Sequence, residues 1–162
     1  MNNLSLVPAQ IQVLVFVVLA MLLGGLLGLD REFSEKPAGL RTHMLVAGAA
    51  ALLVGVSTVV VDQFTVHAGG EVVQADPIRV IEAVITGVSF LGAGTIIRHQ
   101  ANGLVEGLTT AASLLMAAAI GISVALSQWV LAIGTTFIVL LALRGVPFLG
   151  RLLGLKKRNQ QE

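Results

Sequence analysis

The chain has 162 residues, 56% of them hydrophobic, and only 12% are Asp, Glu, Lys or Arg. That charged share is about half that of a soluble domain, too little for a polar shell, and the mean hydropathy is +0.91. The formal net charge of +1 indicates no nucleic-acid partner, and with no cysteine, disulfide and thiol chemistry are excluded.

The apolar residues come in long blocks rather than amphipathic periods, the pattern of a membrane protein. Residues 11–29 form a first block without a charge. Residues 1–10 hold no basic side chain, so a cleavable signal is not expected and the block reads as a retained helix. Residues 42–61 form a second block, interrupted by Thr42, His43, Ser57 and Thr58. The third, 78–97, carries Arg79, Glu82, Thr86, Ser89 and Thr95; the fourth, 108–126, has no charge; the fifth, 129–148, has Arg144. Each is about 20 residues, enough to cross a hydrocarbon core of about 30 Å as a helix. The expected fold is therefore an all-α membrane bundle of about five transmembrane helices, residues 1–148, followed by a short basic tail, 149–162. Phe33, Phe64, Trp129 and Phe148 fall at the expected ends, where interfacial anchors belong.

Charge sets the orientation. Arg31, Lys36 and Arg41 follow the first block, Arg98 follows the third, and Arg144, Arg151, Lys156, Lys157 and Arg158 close the chain. The segment 62–77 has Asp62, Glu71 and Asp76 and no Lys or Arg. With the N-terminus outside and the C-terminus in the cytoplasm, every basic residue but Arg79 lies inside, as the positive-inside rule requires. Small residues recur four apart, as Gly24 and Gly28, Ala47, Ala51 and Gly55, or Ala117, Gly121 and Ala125. Such rows let helices approach closely in lipid, so a tight bundle is expected, alone or as a homo-oligomer, in preference to the alternative of a small-residue channel lining.

Three regions carry polar groups with a functional reading. On the third helix, Arg79, Glu82, Thr86 and Ser89 are spaced 3, 4 and 3 apart and share a face. The face reads either as an ion-facing stripe inside the bundle or as an Arg79–Glu82 pair neutralising itself near the headgroups. Gly92 and Gly94 follow on that helix and read as close packing or as a loosened backbone. The first cytoplasmic loop holds Asp30, Arg31, Glu32, Lys36, Pro37, Gly39, Arg41, Thr42 and His43. This stretch reads as a solvated loop or a docking surface, and Asp30 with Glu32 as a weak candidate for a hard cation such as Mg²⁺. In the outer loop, Asp62, His67, Glu71 and Asp76 offer ligands without compact spacing and read as an acidic loop, or alternatively as a weak divalent-cation site. On the fourth helix, Thr109, Thr110 and Ser113 put three hydroxyls in the first turns, where they cap backbone or bond a neighbouring helix.

The runs Lys36–His43 (KPAGLRTH), Ser89–Ile97 (SFLGAGTII) and Gly107–Ser113 (GLTTAAS) resemble, in that order, the MgtC/SapB family of bacterial inner-membrane proteins. Asp30-Arg31-Glu32 is similar to its acidic-Arg-Glu signature, and Asp76-Pro77 with Arg79 to the start of its third helix. The likeness covers roughly residues 20–126. It implies a multi-pass protein of the bacterial inner membrane with five spans and an outside N-terminus. It implies a role in adaptation to low magnesium and in virulence, regulatory rather than catalytic. Partners it implies include other membrane complexes such as the F-type ATP synthase. Two features depart from the family pattern. Many members carry a cytoplasmic C-terminal domain where this chain has only residues 149–162, and Glu82 stands where an uncharged residue is common.

Three functions thus compete. A non-enzymatic regulator docking on another membrane complex suits the charged loop and the small-residue rows. A small transporter or channel for Mg²⁺ or protons suits the stripe on the third helix. An enzyme ranks last, since no nucleophile, base and orienting group come together in the sequence. No cofactor is expected.

Overall fold

In the computed structural model, residues 7–67, 77–98 and 105–152 are described, with side chains over 8–61, 78–96 and 105–145. The chain forms five helices: α1 (Val7–Phe33), α2 (Leu40–His67), α3 (Pro77–Gly94), α4 (Leu108–Ala125) and α5 (Trp129–Leu152). Between α3 and α4 lies a small antiparallel ribbon, β1 (Ile97–Arg98) and β2 (Val105–Glu106), with Ile97 opposite Glu106 and Arg98 opposite Val105. The molecule is an all-α helical membrane bundle. Among the described residues three helical segments are long and apolar enough to cross a bilayer: Pro8–Phe33, Leu40–Val61 and Leu108–Ala125. Trp129–Gly145 is apolar as well but shorter.

α1 and α2 form an antiparallel hairpin in close contact. A Cβ on Gly24 would stand 2.6 Å from that of Ala47 and 2.7 Å from the His43 carbonyl oxygen, and one on Gly28 would stand 2.6 Å from the Leu40 Cα. At the far end of the hairpin Gly55 meets Val13. α4 lies against this hairpin, and Gly121 abuts the Ala47 carbonyl. Small residues replace the hydrophobic drive that lipid removes, because close backbones recover dispersion and polar contact. The core of Ala20, Leu27, Ala47, Val54, Leu114 and Ile120 is fully or almost fully buried between these three helices. α4 also touches α3 and α5, which flank it. Phe16 of α1 meets Trp129 at the start of α5 edge to face, with ring centroids 5.4 Å apart.

Both tight helix connections end in the same way. After α1, Lys36 N–H donates to the Arg31 carbonyl and Glu35 N–H to that of Glu32, with Glu35 at φ 52°. After α4, Gln128 N–H donates to Ser123 and Ser127 N–H to Val124, with Ser127 at φ 58°. Each is a Schellman closure with a non-glycine residue in the left-handed region, which reverses the chain within a few residues.

Two expectations need correction. α1 does not stop at residue 29. It runs on to Phe33, so Asp30, Arg31 and Glu32 stand on a helix rather than in a loop. α3 does not run to Ile97. It ends at Gly94, where Thr95 donates through Oγ1 and N–H to the Gly92 carbonyl and turns the chain into β1. The Gly92–Gly94 pair, weak in helix propensity, ends the helix there.

Candidate functional site

The extension of α1 accounts for the most polar place in the bundle. Ala20, Gly24, Leu27 and Arg31 follow one another at spacings of 4, 3 and 4, so the face that packs against α2 and α4 ends in a guanidinium. Asp30 and Arg31 are each only 5% exposed, and His43, one turn into α2, is completely buried.

Their partners come from three other elements. Arg31 Nη2 donates to Thr110 Oγ1 at 2.8 Å, joining α1 to the first turn of α4. His43 Nδ1 lies 2.9 Å from the Gly39 carbonyl oxygen, and Nε2 lies 3.0 Å from Ser113 Oγ. A carbonyl only accepts, so Nδ1 carries the proton and Nε2 accepts from the Ser113 hydroxyl. Ser113 Oγ is also 2.8 Å from the Thr110 carbonyl, so its single proton is shared between two acceptors. Arg31, Thr110, Ser113 and His43 therefore form one chain of contacts across α1, α4 and α2. Beside it, Asp30 Oδ1 accepts from Arg144 Nε of α5 at 2.5 Å. Glu32 Oε2 accepts the Leu40 N–H at 2.8 Å, meeting one of the open donors at the start of α2.

Gly107 opens α4 with φ 91° and no side-chain cap, a conformation few other residues adopt. It packs against the Thr95 carbonyl and holds β2 against the end of α3. Next to this start lies a cleft of about 1030 Å³ between the ends of α1, α4 and α5, with Arg31, Lys36, Thr109 and Thr110 on its polar side.

The sequence-derived candidates separate accordingly. Asp30, Arg31, Glu32, Gly39, His43, Thr110 and Ser113 come together, while Lys36, Pro37 and Thr109 are exposed beside them on the cleft wall. Arg41 and Thr42 are exposed on the outer side of α2. Gly92 packs on Ala111, and a Cβ there would sit 3.3 Å from the Ala111 Cβ; Gly94 faces open space. Asp30 and Glu32 do not converge as cation ligands, since one binds Arg144 and the other caps α2. Among the described residues no group of three His, Asp or Glu side chains is placed to hold a metal ion. The stripe on α3 does not face the bundle interior: Arg79, Glu82, Thr86 and Ser89 are all exposed, and α3 turns Val84 and Val88 inward instead. Arg79 and Glu82 form no ion pair with each other; the ion pair among the described residues is Asp30–Arg144. Asp76 and Glu71 lie outside the described residues, as do the side chains of Asp62, His67 and Arg98.

Sequence reasoning missed the Asp30–Arg144 pair and the burial of Arg31 and His43. The pair joins residues 114 apart, with no local signal. The burial did have a signal, because Arg31 continues the small-residue face of α1 in register.

The profile of the MgtC family matches residues 17–152. Protein MgtC of Salmonella typhimurium is 40% identical over 124 residues, which are 76% of this chain and 47% of that protein. Protein SapB of Bacillus subtilis is 30% identical over 144 residues, 89% of this chain and 60% of its own length. Protein SrpB of Synechococcus elongatus is 36% identical over 151 residues, covering 87% of this chain and 78% of SrpB. The chain thus spans about half to three fifths of the length of MgtC and SapB. No solved structure matches it. The polar cluster, built from the acidic-Arg-Glu segment, the Gly39–His43 turn and the Thr110–Ser113 turn, sits within the matched region, and the chain belongs to the MgtC family.

Proposed function

We propose that the protein is a non-enzymatic regulator of the bacterial inner membrane that acts by docking on other membrane complexes, in the service of adaptation to low magnesium or of virulence. The observation that carries this reading is the outer face of α3. Arg79, Glu82 and Ser89 are exposed there beside Gly87, where an added Cβ would meet nothing within 4 Å. A charged side chain facing lipid costs about 2.5–3.5 kcal/mol at mid-bilayer and less toward the interface, so such a face favours a protein neighbour. Gly87 leaves room for that neighbour's backbone. Membership of the MgtC family supports the same reading.

Catalysis finds little support, because the imidazole and hydroxyls that would serve it are buried in helix-to-helix contacts. Transport through the bundle also loses support, because the stripe that motivated it lies on the outer surface. The basic residues favour an outside N-terminus and a cytoplasmic C-terminus.

The test is a photocrosslinking residue in place of Ser89, used in native membranes at low and high Mg²⁺. Adducts with another membrane protein are expected, the F-type ATP synthase among the candidates, and they should weaken in Glu82→Ala. Adducts with this chain alone would overturn docking on a foreign complex and indicate a homo-oligomer.

A further inference from the structure

The cleft beside α4 has a buried cation whose charge the bundle answers only in part, through the field of Asp30. Arg31 lines it, is only 5% exposed, and has no carboxylate within ion-pair distance among the described residues. Asp30, its neighbour, is bound to Arg144. The Arg31 guanidinium donates to Thr110, yet its Nε is sealed from solvent without an acceptor. A buried cation with an orphaned donor is costly unless an anion lies near it. The first turn of α4 opens on the same cleft. The N–H groups of Leu108, Thr109 and Thr110 have no intrahelical partners, and Gly107 supplies no side-chain cap. That helix end carries a partial positive charge. Lys36 stands on the wall, exposed.

The remainder of the cleft is apolar: Met116 of α4 with Ile138, Val139 and Leu143 of α5 line it away from the charged end. A volume of about 1030 Å³ is far more than a free oxyanion needs. The carboxylate-bearing residues Glu35 and Glu106 on the wall are exposed at the rim, where water and salt screen them.

The geometry points to a binding site for an anionic phospholipid. Lys36 and the first N–H groups of α4 meet the headgroup phosphate, the Arg31 guanidinium adds its charge from within the cleft wall, and the α4–α5 wall takes the start of an acyl chain. The site lies where a lipid headgroup would lie, at the end of the bundle that carries Arg31, Lys36, Arg41 and Arg144. The inference is independent of what docks on α3, which is a different face.

The test uses the full chain in nanodiscs of mixed phosphatidylglycerol and phosphatidylcholine. Lipid retained after mild detergent extraction is counted by native mass spectrometry. Retained lipid is expected to be enriched in phosphatidylglycerol by about tenfold, the ratio that about 1.4 kcal/mol of selectivity gives. Lys36→Gln should reduce that enrichment about fivefold, the loss expected for one basic residue at a lipid surface. Arg31→Gln should abolish it, but this change risks the fold. Ile138→Trp therefore provides the control: Ile138 is 64% exposed, so a larger ring fills the apolar wall without entering the core. It should lower retention of both lipids while the thermal unfolding midpoint holds. Equal retention of the two lipids, or enrichment unchanged in Lys36→Gln together with total retention unchanged in Ile138→Trp, would overturn the site as mere annular lipid. Inorganic phosphate added alone is expected to leave the bound lipid in place. If it displaced the lipid and stabilised the protein by itself, the ligand would be a free oxyanion and the lipid assignment would fall.

Discussion

The two flanks of α4 are built differently. Toward α1 and α2 the bundle is closed: Gly24, Gly28 and Gly121 each face backbone of a neighbour that leaves no room for a methyl group. Toward α3 and the outer side of α5 it is open: Gly87, Gly94 and Gly134 meet nothing within 4 Å, and Phe90, Val130 and Phe137 are largely exposed. The same residue type thus has two uses in one chain. On the closed side glycine lets the protein pack on itself. On the open side a methyl group in its place would meet no other part of the chain. The closed side also holds the buried polar cluster, so rigidity and buried charge coincide, whereas the open side presents charge on an exposed surface.

The largest effect should follow from closing space on the packed side. In Gly121→Val the new side chain would run into the Ala47 carbonyl, which is backbone and cannot swing away. We expect a loss of about 3 kcal/mol, the upper end for overpacking, in reversible unfolding by titration with a denaturing detergent. A loss below about 1 kcal/mol would mean that α2 and α4 are not locked together and that the contrast between the flanks is weaker than it looks.

Removing the imidazole should cost somewhat less. His43→Ala deletes both ring contacts and leaves Ser113 with only the Thr110 carbonyl as a partner. It also opens a cavity at a fully buried position. Two net hydrogen bonds and the cavity suggest about 2–3 kcal/mol. The double mutant His43→Ala/Ser113→Ala should lose less than the sum of the single changes, because they share a contact. Strict additivity would show that the cluster is a set of separate contacts.

This division was only partly legible in the amino-acid sequence. The membrane bundle was legible, because blocks of about 20 apolar residues have few other meanings. The glycine rows on the closed side were legible as packing, for the same reason that Gly24 and Gly28 lie four apart. The helix ends were not. Asp30-Arg31-Glu32 is charged and so reads as loop, but Asp30 pairs with Arg144, Arg31 donates to Thr110 and Glu32 accepts the Leu40 N–H, partners of which only the last is near in sequence. The stripe on α3 was visible as a stripe, since spacing fixes which residues share a face. Spacing does not say whether that face looks inward, and here Val84 and Val88 take the inward side.

The pair between α1 and α5 should prove a smaller matter. Arg144 is 68% exposed and Asp30 only 7%, so Arg144→Ala leaves a nearly buried carboxylate without its cation. Water reaches the site from the Arg144 side, which holds the expected cost to about 1 kcal/mol. High salt should narrow the difference between wild type and variant, as it does for half-exposed charges. A cost above about 3 kcal/mol would place Asp30 in a drier setting than the open cleft provides.

The smallest effect on stability carries the most information about function. Gly87→Ala adds a methyl group where nothing stands, in the middle of a helix. For the isolated protein it should stabilise by about 0.5–1 kcal/mol, because alanine loses less conformational freedom in a helix than glycine does. In native membranes the same change should lower the yield of crosslinks from position 89, because the methyl group takes up the space into which a neighbouring helix would pack. These two results together, a gain in stability and a loss of contact, separate a docking face from a face that merely lies in lipid. Gain without loss would mean that nothing approaches Gly87 closely, and the open flank would then be a lipid surface with an unusual charge on it.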